Sequence, residues 1–320
     1  MRKVIMDCDP GHDDALAILL AAKHLDVVGI TTVTGNQSID KVTTNALKVV
    51  EFAELTHIPV AKGMGHPLVQ PPRYAPEIHG ETGMDGPELP TPTTPLHDSH
   101  GVDFIIDTVM STDDVTLIPT GPLTNVATAL RREPRIAGRI PEISLMGGSL
   151  TYGNATPAAE FNIYVDPEAA HVVFTSGIPI KMCGLNITRQ ANATDVEIER
   201  IRALGNKTGT IVAGLLDFYK GTLKEVFGLT GGSLHDPCSV AALIDPTIID
   251  FQLMHVAIEL KGEHTYGMTL CDYRHIRGTG EDIMAIEGIR KGEPPNAEVG
   301  LRIDTARFFD LLIDTLAQYP

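Results

Sequence analysis

Short runs of β-branched and other hydrophobic residues alternate along the chain with longer segments of amphipathic character. The short runs predict strands at residues 3–8, 27–33, 58–61, 115–119, 143–146 and 178–183. The longer segments predict helices at residues 13–23, 40–55, 102–110, 123–131 and 167–176. This alternation is typical of βαβ units around a mostly parallel sheet. Polar or glycine-rich sequence follows each strand, where ligands of open α/β sheets bind.

Two regions depart from this alternation. Residues 63–99 contain eight prolines, too many for a regular helix or a central strand, and predict a long loop that could act as a lid. Residues 195–227 predict two helices with no strand between them. The sequence has no internal repeat and no composition shift typical of a linker. We therefore expect one α/β domain over residues 1–320: an open, mostly parallel twisted sheet flanked by helices, with helical and loop insertions.

The composition narrows the classes of partner. A net charge of −16 argues against unassisted nucleic-acid binding, which needs a basic surface. No apolar run reaches the roughly 20 residues that cross a bilayer, so no membrane contact is expected. The first apolar run is too short for a signal peptide, and the four cysteines are widely separated. A cytoplasmic protein with reduced thiols is the resulting prediction.

The strongest chemical signal is a cluster of four aspartates, Asp7, Asp9, Asp13 and Asp14, around the first strand-to-helix turn. Like charges this close raise one another's pKa unless a cation neutralises them. The ligand atoms on offer are oxygens, so a hard cation such as Ca²⁺ or Mg²⁺ fits better than zinc. The simpler alternative is one or two helix-capping aspartates on a solvated face.

Two later segments carry further candidate residues. His235 and Asp236 follow a glycine turn, although Asp236 could simply cap a helix that has Pro237 at its first position. Glu160 and Asn162 together offer acceptors and donors that suit sugar hydroxyls, with ordinary surface polarity as the alternative.

Six segments occur in the order DCDPGHDDA, IHGETGMDG, PTGPLTN, LMGG, AEFNIYVDPEAA and HDPC, spanning residues 7–238. In these segments the chain resembles the inosine-uridine-preferring nucleoside hydrolases. The resemblance implies the nucleoside hydrolase fold, a small ribonucleoside as substrate, and a homo-oligomer, either a dimer or a tetramer. It also implies one Ca²⁺ per subunit, held by Asp9, Asp14, the backbone carbonyl of Thr120, and Asp236.

The same resemblance assigns the remaining site positions. Ribose hydroxyls would be bound by Asp13, Asn36, Glu160 and Asn162, with Met146 nearby and Asp7 in support. The base side would carry His79, His235 and, at positions where relatives contact the base, Leu223 and Phe227. The chain contains no Trp, so the indole stacking of purine-specific relatives is absent, and a pyrimidine-preferring or broad specificity is expected.

The expected reaction is hydrolysis of the N-glycosidic bond to ribose and free base. Asp9 would accept a proton from a calcium-bound water, and His235 would assist the leaving base. Two alternatives stay open at this point. A metal-dependent phosphatase would use Asp7 as its nucleophile, and a non-catalytic ribose or nucleoside sensor could use the same scaffold.

Overall fold

A nine-stranded sheet runs through the computed structural model, which describes residues 1–274 and 292–320. In chain order the strands are β1 (Lys3–Cys8), β2 (Asp26–Thr32), β3 (Val60–Lys62), β4 (Val115–Pro119), β5 (Ile143–Met146), β6 (Ile180–Cys183), β7 (Asn192–Ala193), β8 (Gly232–Ser233), β9 (Ile249–Ile258), β10 (Thr269–Asp272) and β11 (Ala297–Ile303). The large sheet has the order β10-β9-β11-β6-β5-β4-β1-β2-β3, and β7 pairs with β8 separately.

Helices cover both faces of this sheet. They are α1 (His12–His24), α2 (Ile39–Phe52), α3 (Pro76–His79), α4 (Gly101–Ser111), α5 (Thr124–Arg132), α6 (Phe161–Val165), α7 (Pro167–Phe174), α8 (Leu185–Thr188), α9 (Asp195–Arg202), α10 (Lys207–Phe227), α11 (Pro237–Ile244) and α12 (Thr305–Leu316), with a 3-10 helix at Pro134–Gly138. No helix within the described ranges is long and apolar enough to cross a membrane.

The predicted fold class is confirmed. Every neighbouring pair from β11 to β3 is parallel, and only β9 joins its neighbours in antiparallel fashion. The six predicted strands all form, with the third shifted to Val60–Lys62. The sequence reading did not predict β9, β10 and β11, which extend the sheet at one edge. The two helices expected in residues 195–227 are α9 and α10.

Burial explains the hydrophobic runs of the central strands. Val4, Ile5 and Met6 of β1 have no exposed surface, because helices pack on both faces of a parallel sheet. Two hydrophobic clusters of buried side chains result. Helix α1 is buried from His12 to Ala21 and packs mainly against α11, which carries its own apolar face.

The strand order reverses between β1 and β4, and this reversal positions the candidate residues. From β1 the chain adds β2 and β3 on one side, whereas β4, β5 and β6 lie on the other. Loops after the carboxyl ends of β1 and β4 diverge at such a point and leave a crevice. Asp9 follows β1 and Thr120 follows β4, so both lie at this crevice.

The proline-rich segment 63–99 is mostly without regular structure, as predicted. The one exception is the four-residue helix α3, which begins with Pro76 at its first position. Proline is tolerated there because the first helical N–H has no intrahelical partner. Through α3 the segment packs against α10, and this contact places His79 at the crevice.

Candidate active site

The turn between β1 and α1 holds the first part of the site. Strand β1 ends at Cys8, and α1 begins at His12 after a Pro10-Gly11 turn. Asp14 closes the start of the helix, because its Oδ2 accepts a hydrogen bond from the Gly11 N–H at 2.9 Å. The cap in the simpler alternative is therefore present and uses one oxygen of Asp14, but the solvated face is not, because all four aspartates are buried. The other oxygen, Oδ1, accepts from the Thr120 hydroxyl at 2.8 Å.

Asp13, Asp14 and Asp236 converge although Asp236 lies more than two hundred residues along the chain. Each offers one carboxylate oxygen, and these oxygens lie within 4.8 Å of one another. All three side chains are buried. Burial and the Asp13 and Asp14 charges raise the pKa of Asp236 well above its usual value. Such a group needs a cation to stay ionised.

The donor set fits a hard divalent cation. The three converging groups are carboxylates. Thr120 contacts Asp14 through its hydroxyl, and its carbonyl accepts a hydrogen bond from the Asn162 side chain at 2.6 Å. Oxygen ligands of this kind bind Ca²⁺ or Mg²⁺. Asp9 lies outside the compact group of three, although its charge also raises the pKa of Asp236. Asp13, which the resemblance assigns to ribose, lies inside the group.

Asp9 is enclosed on several sides. Its Oδ2 accepts from the Asn36 backbone N–H at 2.7 Å, and the Asn36 side chain donates to the Asp9 carbonyl at 3.0 Å. Gly35 and Gly121 pass so close that a Cβ at either position would fall 2.0 and 2.6 Å from the Asp9 carboxylate. Burial and the Asp14 charge raise the pKa of Asp9. The chain therefore holds Asp9 in one orientation, directly behind Asn36.

The Asp7 side chain contacts β2 and α5 and not the cavity. Its Oδ1 accepts from the Thr31 hydroxyl at 2.6 Å and from the Asn125 side chain at 2.7 Å, while its Oδ2 is buried without a partner. Burial raises the pKa of Asp7 to about 7. Asp7 does not line the cavity, which leaves the phosphatase alternative without an accessible nucleophile. Asn125 is the last residue of the PTGPLTN segment, and its contact with Asp7 was not predicted from the sequence.

Glu160 and Asn162 are buried, so the surface-polarity interpretation is wrong. Glu160 caps α6: its Oε1 accepts from Asn162 N–H at 2.9 Å, and its Oε2 accepts from Gly148 and Ile163. Burial raises the pKa of Glu160 to about 7. The Asn162 side chain also reaches the Met146 carbonyl at 3.2 Å. The loops after β4 and β5 are thereby tied to one another at the crevice.

A cavity of about 340 Å³ opens above these groups. This is within the usual range for small-molecule sites. Among its lining residues are most of the expected positions: Asp13, Asn36, His79, Thr120, Met146, Glu160, Asn162, Leu223, Phe227, His235 and Asp236. Asp9 and Asp14 lie just behind this lining, through their contacts with Asn36 and Thr120.

Several lining residues were missed from the sequence. Tyr219 precedes Leu223 and Phe227 by four and eight positions on α10, and this helical spacing puts all three on one face. That spacing was a usable signal. Arg73 and Arg189 gave no signal, and in the structure they lie over the rings of Tyr164 and Tyr152 at 4.6 and 4.8 Å.

His235 is held on the same side as Arg189. Its Nδ1 lies 2.7 Å from the Thr188 hydroxyl, and its backbone N–H donates to Asp13 at 3.1 Å. Burial, and then the Arg189 charge, lower the pKa of His235 to about 3. The imidazole is therefore neutral in this environment. A neutral ring can donate one hydrogen bond to a leaving base, but it carries no surplus proton to transfer.

Comparison with known proteins decides the family. The sequence model of the "Inosine-uridine preferring nucleoside hydrolase" family matches residues 4–310. The chain belongs to this family. It is accordingly an N-glycosyl hydrolase, and the resemblance drawn from the six sequence segments is confirmed.

Family members from several sources are similar over nearly the whole chain. A pyrimidine-specific ribonucleoside hydrolase RihA of Shewanella sp. (strain ANA-3) is 45% identical over 322 residues, covering 99% of this chain and 97% of that protein. A pyrimidine-specific ribonucleoside hydrolase RihB of Escherichia coli O1:K1 / APEC is 43% identical over 321 residues, covering 99% of this chain and 98% of that protein.

Solved nucleoside hydrolases share the fold. The plant enzyme PpNRh1 has a TM-score of 0.88 at 33% identity, covering 99% of each chain. A purine-preferring ribonucleoside hydrolase from Gardnerella vaginalis has a TM-score of 0.87 at 32% identity, covering 99% of this chain and 98% of that one. The chain therefore has the fold of these solved nucleoside hydrolases.

Proposed function

We propose that this nucleoside hydrolase cleaves the N-glycosidic bond of ribonucleosides, with a preference for pyrimidine bases, at the cavity above Asp13, Asp14 and Asp236. The observation that carries the proposal is the convergence of these carboxylates beside Asn36 and the Glu160-Asn162 pair. A cation site next to buried hydrogen-bonding groups suits a polyhydroxylated sugar. The whole chain, residues 1–320, would act as one catalytic domain.

Different residues around the cavity would bind the ribose and accept the proton of the attacking water. Asp13, Asn36, Glu160 and Asn162 line the cavity and would bind the ribose hydroxyls, which fixes the sugar near Asp9. Asp9 would accept the proton of the attacking water; support comes from its fixed orientation beside Asn36, which lines the cavity. Negative charge around the sugar would stabilise an oxocarbenium-like transition state.

On the opposite side of the sugar, His235 would hydrogen-bond the leaving base. The Thr188 hydroxyl would donate to Nδ1, which leaves the proton of the neutral ring on Nε2. Phe227, which is 45% exposed at the end of α10, would cover the base by stacking.

We propose Ca²⁺ as the resident cation, one per subunit, held by Asp9, Asp14, the Thr120 carbonyl and Asp236, with Asp13 adjoining. When bound, such an ion makes a ligated water more acidic and neutralises the buried carboxylates. Support comes from the oxygen-only donor set.

Pyrimidine preference rests on two observations. The relatives at 45% and 43% identity are described as pyrimidine-specific, and the chain contains no Trp. A panel of uridine, cytidine, inosine and adenosine, assayed for released ribose, tests reaction and preference together. We expect kcat/KM for the pyrimidines to exceed that for the purines. Binding without release of ribose would instead favour the sensor.

Gly35→Ala tests the placement of Asp9. The new Cβ would lie 2.0 Å from the Asp9 carboxylate and must displace it. Because a misplacement of about 1 Å can cost about 10²-fold in rate, we expect kcat to fall by about that factor. Gly221→Ala is the matched control, since its Cβ meets nothing within 4 Å. Equal kcat values for the two variants would contradict the proposed role of Asp9.

Closure of the 63–99 segment over substrate is a further proposal, supported by the residues it contributes to the cavity wall, from Arg73 to His79. A segment that closes should become less accessible to protease when the site is filled. We expect ribose to slow limited proteolysis at exposed positions such as Val69, which is 65% exposed. An unchanged cleavage pattern would count against a lid.

We also propose a cytoplasmic location and a homo-oligomer, either a dimer or a tetramer. The free state of Cys8, Cys183, Cys238 and Cys271 supports the first. The second comes from the family resemblance, and light scattering of the purified protein measures it directly.

A further inference from the structure

His12 and His79 form a buried pair at the wall of the cavity. His12 begins α1 and is fully buried, and His79 ends α3 and lines the cavity. The His12 ring is stacked on Phe218 and Tyr219, with interplanar angles of 8° and 9°. None of the proposed cation, ribose or leaving-group contacts uses His12.

The hydrogen bonds of the pair fix where the ring protons lie. His12 Nε2 lies 2.7 Å from the Asp85 carbonyl oxygen, which can only accept, so Nε2 carries a proton. His12 Nδ1 lies 3.1 Å from His79 Nδ1, and a single proton must lie between them. Both rings are buried, and no carboxylate of the described residues hydrogen-bonds either of them, so a positive charge on His12 would be unpaired. The His12 ring therefore carries only its Nε2 proton, and its Nδ1 is an acceptor. His79 Nδ1 is therefore the donor.

With its proton on Nδ1, His79 has an unprotonated Nε2. Burial and the neighbouring His12 hold the pKa of His79 well below its usual value, so its ring carries one proton, already placed on Nδ1. Its Nε2 then has a lone pair. Within residues 1–274 and 292–320, no group hydrogen-bonds this atom, and His79 is a lining residue.

We infer that His12 is a positioning residue: its bond to the Asp85 carbonyl holds His79 as the Nδ1–H tautomer, so that His79 Nε2 accepts a hydrogen bond from an O–H or N–H group of the bound nucleoside. The identity of the ligand rests on the proposed function. In this arrangement His79 binds the substrate as an acceptor and cannot protonate the leaving base.

The first test reads the tautomer directly. Nitrogen NMR of the full chain with ¹⁵N-labelled histidine, with His79 assigned by its loss in His79→Phe, should show a protonated Nδ1 and an unprotonated Nε2 for His79. His12→Phe keeps an aromatic ring for the stack but offers no acceptor, so His79 should shift towards the Nε2–H form. His12→Asn places an oxygen near the former Nδ1 and should preserve Nδ1–H. A protonated Nε2 in the unsubstituted protein would overturn the inference.

The second test is kinetic. Loss of one neutral hydrogen bond to the substrate should raise KM about two- to tenfold in His12→Phe with kcat unchanged, and His12→Asn should restore KM. In a His79→Phe background, His12→Phe should have no further effect on KM. Additive effects of the two substitutions would mean that His12 acts only through packing, and would overturn the positioning role.

One comparison shows whether the donor to His79 Nε2 is on the sugar or on the base, and another separates the tautomer inference from the proposed function. A weaker affinity of His12→Phe for ribose alone would place the donor on the sugar, whereas a change seen only with nucleosides would place it on the base. Absence of ribose release from every nucleoside would refute the proposed function, while the NMR measurement would still decide whether His12 sets the tautomer of His79.

Discussion

Asp9→Asn should lower kcat by about 10²- to 10⁴-fold, the range typical of general-base catalysis. The amide oxygen can still accept the Asn36 N–H that Oδ2 accepts at 2.7 Å, so the local backbone should keep its conformation. The amide cannot accept a proton from water at neutral pH. The loss should therefore appear in turnover and not in ribose affinity, measured by calorimetry at saturating Ca²⁺.

Asp26→Asn is the control for this substitution. Asp26 is exposed at the start of β2, so its replacement removes the same charge far from the cavity. We expect native kcat for this variant. A near-native kcat for Asp9→Asn would exclude Asp9 as the base, and a parallel loss of ribose binding would assign it to binding instead.

Removing the proposed Ca²⁺ with EGTA should abolish turnover and destabilise the protein. Without a cation, the buried Asp13, Asp14 and Asp236 carboxylates within 4.8 Å of one another must take up protons or repel. Restoring Ca²⁺ to 100 times its Kd should add about 2.7 kcal/mol to the free energy of unfolding. Thermal unfolding followed by circular dichroism measures this shift independently of activity.

Asp14→Asn and Asp26→Asn again form a matched pair. The first removes a converging carboxylate and should abolish the Ca²⁺-induced shift in the unfolding midpoint, whereas the second should retain it. Undiminished turnover in buffer with EGTA would refute the role of Ca²⁺. A stability increase with Mg²⁺ but not with Ca²⁺ would correct the identity of the ion.

The structure argues against the phosphatase alternative. Asp7, the nucleophile that a phosphatase would need, is buried and already bonded to Thr31 and Asn125. The sensor alternative would use the same cavity as the hydrolase. Membership of the nucleoside hydrolase family decides for the enzyme.

The sequence by itself determined the architecture of the first two thirds of the chain. Residues 3–8 and 115–119 are mostly apolar because both faces of the central strands are buried, and such runs can be recognised in the sequence without coordinates. The order of the six segments indicated the family, because the spacing of residues within one strand-to-helix turn can be read directly from the sequence. Strands β9 and β10 were missed because they are only partly buried, which weakens the hydrophobic signal.

Only the tertiary structure decided which polar groups meet. It placed Asp236 against Asp13 and Asp14, turned Asp7 away towards Asn125, and put Tyr219 and Arg189 on the cavity wall. The sequence allowed Glu160 to be either a surface residue or a site residue, and its burial decided between them. The physical reason is that charge neutralisation and hydrogen-bond satisfaction depend on distances between segments, which periodicity along one segment does not encode.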